Sequence, residues 1–405
     1  MARFLMIPHA PGGTLAHLAA CSAVAAALRE RGHEAIFAYG GSRPDLLDRA
    51  GFEWHPVVEA HGPMYWEWFD SAEHLERMVT SQLELIERLK PAVCVTSAGF
   101  GGIAAEIGGV PQLALMHGLS GSRYGRPAVR PWMLRDAARH PTRLLGHLRA
   151  RRHRPERDQA RAVIAEVRRR RRLPPLDGSG GVMGRADLVA CTTAPFLDPA
   201  RALPAHWRYI GPLSYGNDGR GGGAPPSATE APRTYVSQGS TGSAELLRRA
   251  TSELSAQGRE VVVSTGGLCD AEELRELGPG VIAADIVDTR SELESADVAV
   301  IAGGHMTAME ALRSGTPTVV VPHTRQQATG ALRAERLGTG VALWPRVRRG
   351  AIARATRRIL RGEAYTARAR RLAAQLNVGW NGNARAADLA EALIDFRRSP
   401  PAAEG

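Results

Sequence analysis

The sequence predicts an α/β protein built as two doubly wound, Rossmann-like parallel-sheet domains facing a cleft. Three observations carry that prediction. Short apolar runs alternate with helix-length amphipathic spacers; the alternation stops at a stretch rich in Gly, Pro and Ser and then restarts; and 405 residues, at about 100–200 per domain, make a two-domain length.

In chain order, the apolar run Phe4–Pro8 enters the turn Pro11-Gly12-Gly13-Thr14, and Leu15–Arg31 then reads as a helix ended by Gly32. Strand Glu34–Tyr39, helix Pro44–Ala50, helix Ser81–Lys90, strand Ala92–Thr96, helix Gly101–Ile107, strand Gln112–Met116 and strand Leu188–Thr192 continue the pattern. Helical spacers between strands imply parallel neighbours, because parallel strands need a crossover. The N-terminal domain is placed at 1–215, a linker at 216–232 and the C-terminal domain at 233–378. In the latter, strands are expected at Arg233–Ser237, Val261–Ser264, Val281–Ala283, Val298–Ile301 and Thr318–Val321, with helices at Ala244–Gln257 and Thr307–Ser314. A closing segment, 379–405, carries a helix over Ala384–Phe396 that is expected to cross back to the first domain. The cleft between two such lobes is the default binding site.

Composition removes several function classes. A hydrophobic content of 44% argues against global disorder. Cys21, Cys94, Cys191 and Cys269 form no CxxC pair, which fits neither a disulfide framework nor a zinc knuckle and points to a cytoplasmic protein. The N-terminus lacks a signal-peptide core, and no apolar run reaches the roughly 18 residues of a membrane span. Every basic residue except Lys90 is an arginine, and the charge is concentrated. Between Arg123 and Arg172 lie 17 arginines against Asp136, Glu156, Asp158 and Glu166. This segment, 123–172, reads as a helical insert with an arginine-rich outer face, either simply solvated or docked peripherally on the anionic inner face of a membrane. Nucleic acid is not expected as a partner, since aromatics are 5% of the chain and no nucleic-acid motif interrupts the run.

Candidate chemistry gathers at strand-to-helix turns. His17 follows Gly12-Gly13-Thr14 in the first turn of a helix, where it is either a base with a pKa near working pH or a hydrogen-bonded structural histidine. Ser237-Gln-Gly-Ser-Thr-Gly-Ser243 and Ala302-Gly-Gly-His-Met-Thr307 are two further turns of this kind. Each offers free backbone amides at a helix start, and together they suit a diphosphate. Neither is a P-loop, and the first turn lacks the full GxGxxG of a nicotinamide enzyme. Without any Asp-x-Asp pair or His/Cys cluster, no metal and no cofactor are expected. Gly62–Phe69 holds Tyr65, Trp66, Trp68 and Phe69, either a packed loop or an apolar acceptor surface.

The segment Val298–Pro322, followed by Gln326-Gln327, Gly330-Ala331 and Gly338, resembles the donor signature of GT-B nucleotide-sugar glycosyltransferases. It is similar both to the macrolide-type, family 1 enzymes and to the family 28 enzymes typified by the peptidoglycan N-acetylglucosaminyltransferase. Gly12-Gly13-Thr14-Leu15-Ala16-His17 resembles the GGTxGH loop of the latter with Ala16 for its last glycine, and Ser237-Gln238-Gly239-Ser240 resembles its GSQG turn. The resemblance implies an inverting, metal-independent transfer of a sugar from a UDP- or dTDP-sugar to a small-molecule acceptor, a natural-product aglycone or glycoside. It implies His17 as general base, Gly13 and Thr14 beside the diphosphate, and Gly239, Ser240 and Thr241 on phosphate oxygens. By the same resemblance Ile286 grips the base edge, Gly303, Gly304 and Thr307 meet the diphosphate, Glu310 the ribose, and Gln326 with Gln327 the sugar. His117, Trp66 and Trp68 fall on the acceptor side. Two departures stand out: Ala302 occupies the place of a phosphate-binding histidine, with His305 directly after the glycine pair, and Ser97 replaces the aspartate that orients the base. A lipid-linked acceptor, a degenerate nucleotide-sugar binder and a UDP-N-acetylglucosamine 2-epimerase-like enzyme are the alternatives. The assembly is expected to be a monomer or homodimer.

Overall fold

The structure, a computed structural model, describes residues 1–9, 14–61, 71–97, 101–118, 154–176, 185–200, 202–215, 231–343 and 347–396. The chain divides into two compact units.

The first unit holds β1 (Arg3–Pro8), α1 (Leu15–Glu30), β2 (Glu34–Tyr39), α2 (Asp45–Ala50), β3 (Glu53–Pro56), α3 (Ala72–Leu89), β4 (Val93–Ser97), α4 (Gly101–Ile107), β5 (Gln112–Met116), α5 (Arg154–Arg170), β6 (Leu188–Cys191) and β7 (Trp207–Tyr209). Its sheet runs β3-β2-β1-β4-β5-β6-β7, all parallel. Buried Phe4, Leu5, Met6 and Ile7 in β1 and Val93, Cys94 and Val95 in β4 explain the unbroken apolar runs, since helices cover both faces of a parallel sheet. α3 begins nine residues before the predicted Ser81. Ser71 caps it by accepting from the His74 backbone N–H at 3.1 Å, and Leu75, Met78, Val79, Leu85 and Ile86 bury one stripe.

The second unit holds β8 (Arg233–Ser237), α6 (Ala244–Ser255), β9 (Glu260–Ser264), α7 (Ala271–Arg275), β10 (Val281–Ala284), α8 (Thr289–Ser295), β11 (Val298–Ile301), α9 (His305–Ser314), β12 (Thr318–Val320), α10 (Arg325–Leu337), β13 (Gly340–Ala342), α11 (Ala351–Arg361) and α12 (Glu363–Gly379). Its sheet order is β10-β9-β8-β11-β12-β13, again all parallel. The sequence reading did not place α11, although Ile352, Ala355, Thr356 and Ile359 form a buried i, i+3, i+4, i+7 stripe. The last helix, α13 (Gly382–Glu391), belongs to the first unit. It is held on α1 by Arg31, which meets Asp388 at 2.8 Å and Glu391 at 2.7 Å, and by His33 Nε2, 2.9 Å from the second oxygen of Glu391.

Both sheets reverse their strand order between the first and fourth strands of the unit. In the first unit that point lies between β1 and β4, where Pro8 pairs with Ser97; in the second it lies between β8 and β11, where Ser237 pairs with Ile301. Chains diverge there in opposite directions and leave a crevice at the carboxyl ends of the strands, so this is where the fold offers a site.

Candidate functional site

At the switch point of the first unit, α1 starts at Leu15 after Thr14, whose side chain makes no capping bond, and His17 projects from the first turn. Its Nδ1 lies 2.7 Å from Oγ of Ser97, the last residue of β4 and fully buried. The bond joins the helix after β1 to the end of β4 across the strand reversal. The residue that replaces the expected aspartate is therefore the partner of the histidine. On its other side His17 stacks on His117, just beyond β5, with ring centroids 4.9 Å apart and planes 9° from parallel. Burial, then the imidazoles of His117 and His9, hold His17 well below the ordinary histidine range, and burial pushes His117 down to about 4. Both rings are thus uncharged at neutral pH.

His9, which follows β1, is a neighbour the sequence reading missed. It is buried, with Nδ1 3.3 Å from Glu59 Oε1, while the Glu59 carbonyl lies 3.1 Å from His74 Nε2. Its signal was positional: like His117, it immediately follows a central strand. Gly13, Trp66 and Trp68 lie outside the described residues.

In the second unit four segments converge on the carboxyl ends of the strands. Gly239 adopts φ +61° after β8, and its N–H donates to Ser237 Oγ at 3.2 Å; Gly239, Ser240 and Thr241 are all half-exposed. A Cβ on Gly266 would lie 3.0 Å from the Gly239 carbonyl oxygen, so the turn after β9 packs directly on this loop. The Gly266 N–H in turn donates to the Asp285 carbonyl at 2.9 Å, which ties down the segment carrying the half-buried Ile286. After β11, Gly303 at φ +89° has no room for a side chain: a Cβ would meet Val320 Cγ1 at 2.6 Å and the Gln327 carbonyl oxygen at 2.8 Å. Gly304 caps α9, and a Cβ there would meet nothing within 4 Å. An open glycine at a helix N-terminus leaves backbone amides for an anion. Buried Ala302 and the largely buried His305 flank the pair, and Thr307 is half-exposed in the first turn of α9.

One turn further along α9, Glu310 is 4% exposed, and its Oε1 has no hydrogen-bond partner among the described residues. Burial raises its pKa, a shift opposed by the hydroxyl of Ser214 and the charges of Arg313 and Arg290. A buried acceptor oxygen without a donor is costly and suits a ligand hydroxyl. The two glutamines differ. Gln326 is exposed, whereas the Oε1 of buried Gln327 accepts from the backbone N–H of His323 at 2.8 Å and of Thr324 at 3.0 Å in a capping box. That oxygen is committed to the loop, and only the amide nitrogen of Gln327 is left for a sugar. His323, unmarked in the sequence, has its Nε2 3.0 Å from Gln238 Oε1 and so joins the α10 cap to the β8 turn.

Known proteins share this fold. Residues 248–381 match the family described as erythromycin biosynthesis protein CIII-like, C-terminal domain. The chain is 24% identical over 383 residues to the PGL/p-HBAD biosynthesis glycosyltransferase of Mycobacterium tuberculosis, covering 89% of this chain and 86% of that one. Among solved structures, the glycotransferase of kitacinnamycin superposes with a TM-score of 0.73 at 21% identity, over 97% of this chain and 99% of that one. The Streptomyces sp. SF2575 glycosyltransferase SsfS6, complexed with thymidine diphosphate, does so at 0.64 and 20%, over 96% and 100%. The chain has the two-domain GT-B fold of these proteins. The matched relatives are transferases by name.

In the described part of the basic segment several arginines are paired with carboxylates of the same unit. Arg168 is 2% exposed and forms a bidentate pair with Glu106. Arg169 and Arg170 pair with Glu166, Arg170 also with Glu73, and Arg171 with Glu76. The run anchors α5 to α3 and α4, and 123–153 lies outside the described residues. No helix among the described residues is long and apolar enough to cross a membrane. No group of three or more His, Cys, Asp or Glu among them is placed to hold a metal ion.

Proposed function

We propose that this glycosyltransferase moves a sugar from a dTDP- or UDP-sugar to a hydroxyl on a small natural-product acceptor, with inversion and without a metal ion. The observation that carries the reading is the His17–Ser97 bond across the first switch point, matched at the second by the open Gly304 at the start of α9. The family, named for erythromycin biosynthesis, and the kitacinnamycin and thymidine diphosphate neighbours support the acceptor and donor classes.

Residue roles follow from chemistry. His17 Nε2 takes the acceptor proton as the acceptor oxygen attacks the anomeric carbon, and the carbon–oxygen bond to the diphosphate breaks with its electron pair on the leaving group. The helix starts after Gly239 and Gly304, with Ser240, Thr241 and Thr307, receive the charge on that diphosphate. Glu310 accepts from the ribose hydroxyls, the Ile286 segment borders the base, and Gln326 addresses the sugar. His305, at the start of α9, takes the phosphate-side position that Ala302 leaves empty.

His17→Ala is expected to lower kcat by about 10²–10⁴-fold. Thermal-shift binding of dTDP or UDP should be unchanged, because the donor groups lie in the other unit. A panel of dTDP- and UDP-sugars screened by nucleoside diphosphate release identifies the donor. Equal turnover in wild type and His17→Ala would refute the base assignment.

A further inference from the structure

Among the described residues, no carboxylate stands beside the proposed base His17 to polarise it. His17 contacts the hydroxyl of Ser97 at 2.7 Å and the face of His117 at 4.9 Å. The groups facing it from the packed elements are Ser97 at the end of β4, His117 after β5 and His9 after β1, the last paired with Glu59. Among the described residues no carboxylate acts on His17. A carboxylate only accepts a hydrogen bond, so it fixes the proton on Nδ1 and stabilises the imidazolium formed during reaction. A hydroxyl also fixes the ring when it accepts from Nδ1–H, but it supplies no charge, and two further imidazoles oppose one.

We propose that Ser97 is the positioning residue of His17 and that a base held by this hydroxyl and the stacked His117, in place of a carboxylate, is selective for acceptors whose own hydroxyl is acidic, phenols rather than aliphatic alcohols. This rests on His17 being the base. The proton passes from the acceptor O–H to Nε2, while Nδ1–H stays on Ser97 Oγ. The acceptor oxygen's electron pair forms the bond to the anomeric carbon, the nucleoside diphosphate leaves with the pair of the broken bond, and the imidazolium later gives its proton to water. A weak base works best when the group it deprotonates has a pKa near 10, as a phenol has, rather than near that of water at about 15.7. The depressed basicity of both rings agrees with this matching.

The test uses the full chain, the donor found in the nucleotide-sugar panel, and two acceptor sets of matched shape, para-substituted phenols and para-substituted benzyl alcohols. Wild type is expected to glycosylate the phenols at least about 100-fold faster in kcat/KM, with kcat retained down to about pH 5. Ser97→Ala should lower kcat about tenfold with donor KM unchanged, and Ser97→Thr should restore it. Ser97→Asp, where it folds, should move the acid limb of the kcat profile to higher pH and narrow the gap between acceptor sets. Equal rates on the two sets in wild type, or a Ser97→Ala enzyme with wild-type kcat and pH profile, would overturn the proposal while His17→Ala still abolished turnover. An active His17→Ala enzyme would instead bring down the underlying base assignment.

Discussion

The two switch points share a strand order and use different chemistry. At the first, side chains do the work: three imidazoles and one hydroxyl stand at the ends of β1, β4 and β5 and at the start of α1. At the second, the backbone does it. Gly239, Gly266 and Gly303 sit at φ values of +61°, +59° and +89°, and among the described residues there Glu310 carries a buried oxygen without a hydrogen-bond partner. On the proposed function the difference follows the ligand. A proton must be accepted and passed on, which needs a titrating ring, whereas a diphosphate brings its own charge and needs only fixed dipoles close at hand. The first site should therefore respond to pH and to side-chain exchange, and the second to changes in backbone shape.

After the loss of turnover expected for His17→Ala, the largest effect should come from Gly303→Val. Positive φ together with the 2.6 Å approach to Val320 should cost about 2–4 kcal/mol of stability and abolish saturable donor binding, read by chemical denaturation and by titration with the nucleoside diphosphate. Retained donor affinity would show that the turn does not cradle the diphosphate.

Next comes pH. A histidine whose pKa is lowered on folding is protonated first in the unfolded chain, so stability rises with pH between the folded and unfolded values. For His117 that window runs from about 4 to about 6.5, and acidification across it should remove stability on the order of 2–3 kcal/mol, most of which His117→Gln should abolish. Parallel unfolding curves of the two proteins from pH 7 to pH 5 would contradict the buried, neutral state of this ring.

Glu310→Gln exchanges a charged acceptor for a neutral one against a diol, and donor KM should rise about 10–100-fold with kcat little changed. An unaltered KM would remove the ribose contact. The smallest and most discriminating pair is Gln326→Ala against Gln327→Ala. The first should raise donor KM with no change in melting temperature; the second should cost about 1 kcal/mol of stability through the lost cap. Reversal of that pattern would exchange their roles.

Much of this was legible in the chain. β1, β4, β9 and β11 are central strands covered on both faces, so the apolar runs within them are easy to read. The edge strands β3, β7 and β13, of three or four residues, are too short to carry such a run. At the sites, the glycine turns and His17 were visible because a turn constrains residue type locally. His323 was not, since nothing in its neighbourhood marks it; His9 carried only its position directly after β1; and Arg168–Arg171 read as a solvated charge run until α5 brought them against Glu106, Glu73 and Glu76.

Sequence alone determined the two parallel-sheet units, the three glycine turns and the serine standing where an aspartate was expected, because each depends on periodicity or on residue type at one place in the chain. Only the tertiary structure decided what that serine does. His17 and Ser97 are 80 residues apart and meet at 2.7 Å because β1 and β4 are neighbours at the strand reversal, and the partner of a side chain is set by sheet order, which no local pattern encodes.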